Sequence, residues 1–588
     1  MYDQSKHSFT PKKSQHFLTH TKSLHFTTTQ CTPKMESPAS LASSPRDTGS
    51  TTSPSSHDVY QRPGNEEINL YYYGIAGTPK LVARTSRNPW TKPEEECGWG
   101  HTTCQIPKRY ATINSEEIVH EWTREVSNKI IEALEGCSWS YFFPIRIGLE
   151  RDSPKPPFPI ILQIAVEEGS LDWNTGLSIA LECRKILREF RIFDVEVEIR
   201  EGRCDNHGSC QSVDRNKEVK FEDALDEEGW TDHNINEKIL PMLRYSGYAI
   251  GYHDEELRGE GTVGLHLKLE GDESTVYALT CRHVVHNRRA LDESYKATEN
   301  PRRQYHVQAA RLGFERCFEN LERFKKHINQ LLEQKCANKV EKERVKLIKQ
   351  EVKYIDKIHL ALQQKQETGD NKIGYLAYHP KYKRSSRQLE YVKDWALVTV
   401  ESNPSLHNAV NQVYIGDDGV REAKKPINRE FWDEISKELL NKGFLTLQLE
   451  DTDEEDTDEE DIGEESMKIA FRVGKRGSKT GLTFGTKSAI EAVVRRPTKD
   501  QEDTLISWEM LVVSRVGDKY KFSEPGDSGS CVFDFQGRVV GILTGSSDAV
   551  MSKPNESWTG GTDISFVSPI KWVFDDIQAF THRKPRLA

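Results

Sequence analysis

The segment Glu524-Pro525-Gly526-Asp527-Ser528-Gly529-Ser530 leads into Cys531-Val532-Phe533 and, after a turn, into Gly537-Arg538-Val539-Val540-Gly541-Ile542-Leu543. Two apolar runs therefore flank a turn whose glycines permit a tight backbone, able to expose a serine and aim the neighbouring amides at one point. That arrangement suits a nucleophilic Ser528, with the amides of Gly526 and Ser528 as donors to a developing oxyanion. A serine hydroxyl does not ionise near neutral pH, so such chemistry also needs a base. Alone, a Gly-Asp-Ser-Gly string arises by chance and carries little weight.

The sequence around this turn has the texture of a β protein. From about Asn234 onward, short apolar segments are divided by Gly, Asp and Pro, the rhythm of an all-β barrel or sandwich. One of them, Val276-Tyr277-Ala278-Leu279-Thr280-Cys281-Arg282-His283-Val284-Val285, brings His283 to the end of an apolar strand, where a base can reach a serine. Of the nineteen histidines it is the best placed, since most others lie in polar tails, loops or a helical insert. The plain alternative is a strand-end imidazole satisfied by a backbone carbonyl. Between His283 and Ser528, Lys393-Asp394-Trp395-Ala396-Leu397-Val398-Thr399-Val400 sets Asp394 at the head of another apolar strand. A carboxylate there would orient the imidazole, although by itself such an aspartate reads as a turn residue.

In chain order, His283, Asp394 and Ser528 resemble the triad of chymotrypsin-like (trypsin-fold) serine peptidases. Lys475-Arg476-Gly477-Ser478-Lys479-Thr480-Gly481-Leu482-Thr483-Phe484-Gly485-Thr486 resembles the Gly- and Thr-rich hairpin that bacterial members carry between Asp and Ser. The resemblance spans about Gly247 to Phe574, and the whole chain looks most similar to multidomain fungal members in which an α/β region precedes the peptidase. It implies an all-β double six-stranded barrel and a serine-type endopeptidase. Ser528 would attack the scissile carbonyl, His283 would carry the proton, Asp394 would fix the tautomer, and the Gly526 and Ser528 amides would form the oxyanion hole. The resemblance also implies a specificity pocket at Phe522, Thr544 and Gly545. Phe522 stands where trypsin-like members place an aspartate, so an apolar or filled pocket is expected. No Ile-Val-Gly-Gly stretch stands near Tyr245 to Tyr252, so Asp527 needs a partner other than a newly cut N-terminus.

Residues 1–65, rich in Ser, Thr, Lys, His and Pro, are expected as a disordered tail, and residues 66–203 as a small α/β domain. In the latter, Asn114 with Glu117 suggests a capping box, apolar positions follow at Val119, Trp122, Val126, Ile130 and Ala133, and Gly136 ends the helix. Residues 159–166 read as a buried strand, Ile179, Cys183, Ile186 and Phe190 line a helix, and residues 194–199 alternate as a half-exposed strand. A linker is expected over 204–235, the peptidase domain over 236–578 and a C-terminal tail over 579–588. Two insertions interrupt the barrel pattern: a helical hairpin at 308–365 and an acidic loop at 450–466 that self-repulsion keeps solvated. The hairpin falls between His283 and Asp394. It is the candidate surface for a protein partner, and it raises an alternative reading, a catalytically silent peptidase-fold interaction module gated by the insertion.

Composition narrows the partners. The chain of 588 residues exceeds what one core usually supports, and a net charge of −11 is no footprint for nucleic acid. No apolar run approaches the ~18 residues of a membrane span, and the N-terminus lacks the apolar centre of a secretory signal, so an intracellular protein away from membranes is expected. Eleven cysteines without a paired rhythm fit reduced thiols. Cys97, His101 and Cys104, with Cys204, His207 and Cys210, have spacings that could bind zinc, but loop residues are the plain alternative. No metal and no cofactor is therefore expected, the substrate being a protein or peptide.

Overall fold

The computed structural model describes residues 60–97, 102–114, 118–150, 158–205, 246–253, 258–286, 293–297, 306–309, 360, 372–382, 390–400, 411–414, 446–450, 472–497, 504–514, 521–547 and 562–588. All belong to one unit, Tyr60–Ala588. Nearly all of the expected tail, linker, helical hairpin and acidic loop lies outside the described residues.

The N-terminal part runs α1 (Asn65–Leu70), β1 (Leu81–Arg84), β2 (Glu94–Cys97), β3 (Thr102–Gln105), β4 (Lys108–Ala111), α2 (Ile118–Glu121), α3 (Arg124–Ala133), β5 (Trp139–Leu149), β6 (Ile160–Val166), α4 (Trp173–Glu189), β7 (Glu196–Glu201) and β8 (Cys204–Asp205). The described chain starts before the expected boundary: Tyr60 is buried, its hydroxyl accepting from Arg184 at 2.7 Å. The single helix expected from Asn114 is two helices, and the cap of α3 is Thr123, whose hydroxyl accepts from the Val126 amide. Trp122 causes the break, because it is buried at the junction and donates its indole N–H to Glu491 O. Helix α4 buries Leu177, Ala180, Cys183, Ile186 and Leu187 and is capped by the Asp172 carboxylate. Strand β7 is not half-exposed. It is paired on both edges, by β1 and β6, and Glu198 is buried because it accepts the hydroxyls of Tyr71 and Tyr72 at 2.6 and 2.7 Å.

The rest comprises β9 (Ala249–His253), β10 (Arg258–Thr262), β11 (Leu265–Leu269), β12 (Asp272–Thr280), α5 (Arg282–Val285), β13 (Tyr295–Lys296), β14 (His306–Ala309), β15 (Lys372–His379), β16 (Glu390–Tyr391), β17 (Ala396–Val400), β18 (Gln412–Tyr414), β19 (Thr446–Gln448), β20 (Arg472–Gly477), β21 (Gly481–Pro497), β22 (Thr504–Ser514), β23 (Cys531–Asp534), β24 (Val539–Ser547), β25 (Ile564–Pro569), α6 (Ile570–Thr581) and β26 (Pro585–Leu587). The fold is mostly β with few helices. One sheet of nine strands follows the order β10-β9-β14-β15-β17-β12-β11-β26, with β13 on β15. Strands β10 and β11 flank Val263-Gly264; the first pairs with β9 and the second with β12. In the 13-stranded sheet, β20, β21, β22, β25, β24 and β23 pair in a ring of six, β23 returning to β20.

The strands of residues 66–203 are not all set apart in a sheet of their own. Strand β21 continues past the ring, and its Val493 and Val494 pair with Phe142 and Tyr141 of β5, which extends the same sheet through β6, β7 and β1. Phe142, Leu162, Ile130 and Ile186 share one core cluster with Ile490, Val493 and Trp508. Nor do the last residues trail as a tail: β26 pairs with β11, Leu267 opposite Leu587 and Leu269 opposite Pro585. Proline suits this position because β26 lies at the end of the sheet order and, among the described residues, one of its edges carries no partner strand. Among the described residues no helix is long and apolar enough to cross a membrane.

A continuous sheet should unfold as one. Tryptophan fluorescence and far-UV circular dichroism in denaturant are expected to give superimposable transitions, and Phe142→Ala should lower the unfolding free energy by about 3–5 kcal/mol. Two separated transitions would show that residues 66–203 fold on their own.

Candidate active site

Strand pairing explains how His283 meets Asp394. Thr280 at the end of β12 lies opposite Ala396 at the start of β17, so residues just past the one neighbour residues just before the other. Cys281 caps the short helix α5, which turns His283 back toward β17. The His283 amide donates to Asp394 Oδ1 at 3.0 Å, and His283 Nδ1 lies 2.5 Å from Asp394 Oδ2. Tyr382 donates its hydroxyl to Oδ1 at 3.1 Å. The loop is anchored on both sides, since the Lys393 ammonium and the Trp395 indole N–H both go to Asp576 of α6. Burial by itself would raise the Asp394 carboxyl, but the His283 charge and its two hydrogen bonds outweigh it and hold the group well below the ordinary carboxylate range.

Ser528 sits on the turn between Phe522 and β23. Gly526 and Gly529 have φ of 112° and 90°, left-handed values that favour glycine. A Cβ at Gly529 would also collide with Thr262 O and Thr280 Oγ1, so the turn lies directly on β10 and on the end of β12 that leads to His283. Two further bonds fix it there: the Thr262 amide donates to Ser528 O at 2.8 Å, and the Thr262 hydroxyl donates to Gly526 O at 2.9 Å. The amides of Asp527, Gly529 and Ser530 go to Glu524 O, Leu543 O and Asp527 O. Among the described residues no carbonyl takes the amides of Gly526 and Ser528. The Ser528 hydroxyl is wholly buried and has no hydrogen-bond partner among the described residues. His283 and Asp394 are thus joined directly, and Ser528 is brought to the same corner through its neighbours.

The partner that Asp527 required is Lys475. Both side chains are fully buried, with Lys475 Nζ 3.1 Å from Asp527 Oδ2. The carboxylate also accepts the amides of Lys479, Thr480 and Glu524 and the Thr480 hydroxyl. Burial raises the Asp527 carboxyl, yet Lys475 and these donors prevail and keep it below the ordinary value. Lys475 does not gain to the same degree, for burial leaves its ammonium below the ordinary lysine value. The carboxylate, with the larger set of donors, is the charge this site secures. Sequence reading had placed Lys475 in a resembling hairpin without giving it a role.

The expected pocket residues are packed. Phe522 is buried in a cluster with Val473, Met510, Val512 and Val532, and its amide donates to Asp563 Oδ1 at 3.3 Å. Thr544 donates toward Glu509 Oε2 and Phe566 O, behind which Arg496 Nη1 binds Glu509 Oε1 at 2.8 Å. Gly545 lies within β24. Tyr382, Glu509, Arg496 and Asp563 carried no motif and were missed. A cavity of about 200 Å³ lies elsewhere, lined by Val119, Trp122, Lys487, Glu491 and Trp508, and includes none of the triad residues.

Cys281, His283 and Asp394 bring three potential metal-ligand atoms within 4.8 Å of one another. A proton fits this corner better than a metal, because Nδ1 and Oδ2 already face each other at hydrogen-bond distance and burial raises the Cys281 thiol well above its ordinary value. Of the second cysteine set, His101, His207 and Cys210 lie outside the described residues, and Cys104 is disulfide-bonded, which removes it as a thiolate ligand and departs from the expectation of reduced thiols throughout. Cys137, Cys183, Cys204, Cys281 and Cys531 are in no disulfide. In comparison with known proteins, no family model matches the chain and no curated protein matches it.

Replacing Lys475 by Met should strand a buried carboxylate and destabilise the protein by about 3–5 kcal/mol in denaturant unfolding. The sign of its pH dependence follows from the lowered Asp527 carboxyl: this stability is present above the unfolded aspartate pKa and is lost as pH falls through the lower folded value. Without Lys475, burial prevails, and the pH at which stability falls away should move upward. An unchanged acid limb would show that the pair does not hold the carboxylate.

Proposed function

We propose that the protein is a serine endopeptidase in which Ser528, His283 and Asp394 act as nucleophile, general base and orienting carboxylate. The observation that carries the reading is the pair of contacts between His283 and Asp394, made by backbone and ring together, which commits Nδ1 to the carboxylate and gives Nε2 the part of the base. The ring of six strands, and the nine-stranded sheet in which the consecutive strands β10 and β11 pair with β9 and β12 toward opposite ends of the order, support a double barrel. Ser528 lies on a turn that leads into β23 and packs against β10 and the end of β12.

In this mechanism Ser528 Oγ bonds to the carbonyl carbon as its proton passes to His283 Nε2. The oxyanion is received by the amides of Gly526 and Ser528. The C–N bond then breaks as Nε2 returns the proton to the leaving amine, and a water repeats the sequence to free the acid and restore the hydroxyl. Asp394 keeps the imidazolium stable and the tautomer fixed, with Tyr382 steadying its other oxygen. The substrate is a protein or peptide. An apolar or filled pocket at Phe522, Thr544 and Gly545 opposes cleavage after Lys or Arg.

Complete burial of Ser528 favours a second reading, a catalytically silent peptidase-fold interaction module. A fluorophosphonate distinguishes the two. Wild type should be labelled at Ser528 and Ser528→Ala should not, with turnover falling by roughly 10⁶-fold in the variant. A folded wild type that takes no label would establish the silent module.

A further inference from the structure

Strand β24 has partners on both edges. On one edge β25 pairs with it from Gly541 opposite Pro569 to Ser546 opposite Ser565. On the other, β23 pairs as far as Ile542, and then the nucleophile turn takes over: the Gly529 amide donates to Leu543 O and the Leu543 amide to Ser530 O, at 2.9 and 3.0 Å. Further along, Ser546 and Ser547 pair antiparallel with Asp205 and Cys204 of β8. Because Ser565 already holds Ser546 on the first edge, β8 must lie on the second, the edge bonded to the nucleophile turn three residues earlier. At ~3.3 Å per residue the separation along β24 is roughly 10 Å. The antiparallel register points the Asp205 end of β8 toward that turn.

An extended peptide presenting a carbonyl to Ser528, with its preceding residues added to β24, needs this same edge and this same direction. Main-chain hydrogen bonds to an exposed edge would supply much of its affinity. On the endopeptidase reading the Thr544–Ser547 edge of β24 receives the substrate's main chain; we propose that the chain's own strand Cys204–Asp205 is the resident occupant of that edge, so that substrate binds by displacing it. This rests on the endopeptidase reading. The occupant is covalently attached, which gives it an effective concentration of about millimolar order, and a free peptide must compete with that. A two-residue strand is also among the segments that open locally at small free-energy cost.

The test uses full-length protein and two probes: a small alkyl fluorophosphonate, which needs no strand edge, and a set of tetrapeptidyl diphenyl phosphonates with apolar and basic terminal residues, which need it. Asp205→Pro removes an amide donor from β8. It should speed labelling by the best tetrapeptidyl probe on the order of tenfold or more, while small-probe labelling stays the same. Equal tetrapeptidyl rates in a variant that still takes the small probe would overturn the inference and leave the endopeptidase reading intact. Failure of the small probe on wild type would overturn both. Should Asp205→Pro fail to fold, Ser547→Cys supplies the converse experiment, because it places a thiol opposite Cys204. Oxidation should block the tetrapeptidyl probe and reduction restore it, whereas labelling indifferent to the disulfide would reject the docking edge.

Discussion

The structure around Ser528 depends on one buried carboxylate. Asp527 has no exposure, and an ion in that position is tolerated only if nearly every lone pair is met. Five donors meet it: Lys475 Nζ, the amides of Lys479, Thr480 and Glu524, and the Thr480 hydroxyl. Four of the five come from the hairpin between β20 and β21 and one from the turn itself. The turn and the hairpin therefore cannot adopt independent conformations, and the residue after Asp527 is Ser528. Desolvating two charges costs several kcal/mol per ion, so the pair is better understood as fixing a backbone than as adding stability. Left-handed Gly526 and Gly529 then become the conformations that let the chain enter and leave that anchor.

A second buried charge is treated similarly at Asp394, but its donors come from farther apart in the chain. His283 supplies two bonds across 111 residues, and Tyr382 a third. The C-terminal helix contributes indirectly, since Asp576 holds both neighbours of Asp394. Arg496, engaged with Glu509 inside the ring of six strands, also favours the ionised Asp394 at longer range. The corner where His283, Asp394 and the Ser528 turn meet is thus held by elements from the nine-stranded sheet, the ring and the last helix, and closing β26 onto β11 completes that enclosure.

These dependencies explain what the sequence disclosed. Residues 159–166 form a near-continuous apolar run, and a strand follows wherever such a run is buried on both faces. Helix α4 carries its apolar residues at helical spacing, so its buried face could be read directly. His283, Asp394 and the Ser528 turn each lie beside an apolar strand, which is why their order was recognisable. Lys475 was visible only as a hairpin lysine, because its partner lies 52 residues away and no local pattern announces a buried ammonium. Glu198 appeared half-exposed since alternation cannot reveal that two tyrosines more than 120 residues earlier donate to it. Asn114 had a stronger local cap signal than Thr123, but Trp122 seeks cover against β21, and tertiary burial overrode the local preference.

Strand β8 is the extreme case of this limit. Cys204 and Asp205 have no apolar alternation and no strand propensity, so their conformation comes from the edge they complete. What delivers them is β7, which ends three residues before Cys204, and the Gly202 amide, which donates to Val166 O at 2.8 Å and fixes the direction of approach. Cys204 in turn packs on the core that contains Ile564 and Phe566 of β25. One end of β8 is therefore fastened to the N-terminal part of the sheet while the other faces the Ser528 turn. If the Thr544–Ser547 edge receives a peptide, that peptide must loosen β8 from β24, and by linkage a ligand that steadies β8 on β24 must weaken peptide binding by the same factor. The N-terminal strands are for that reason more than an appendage to the ring.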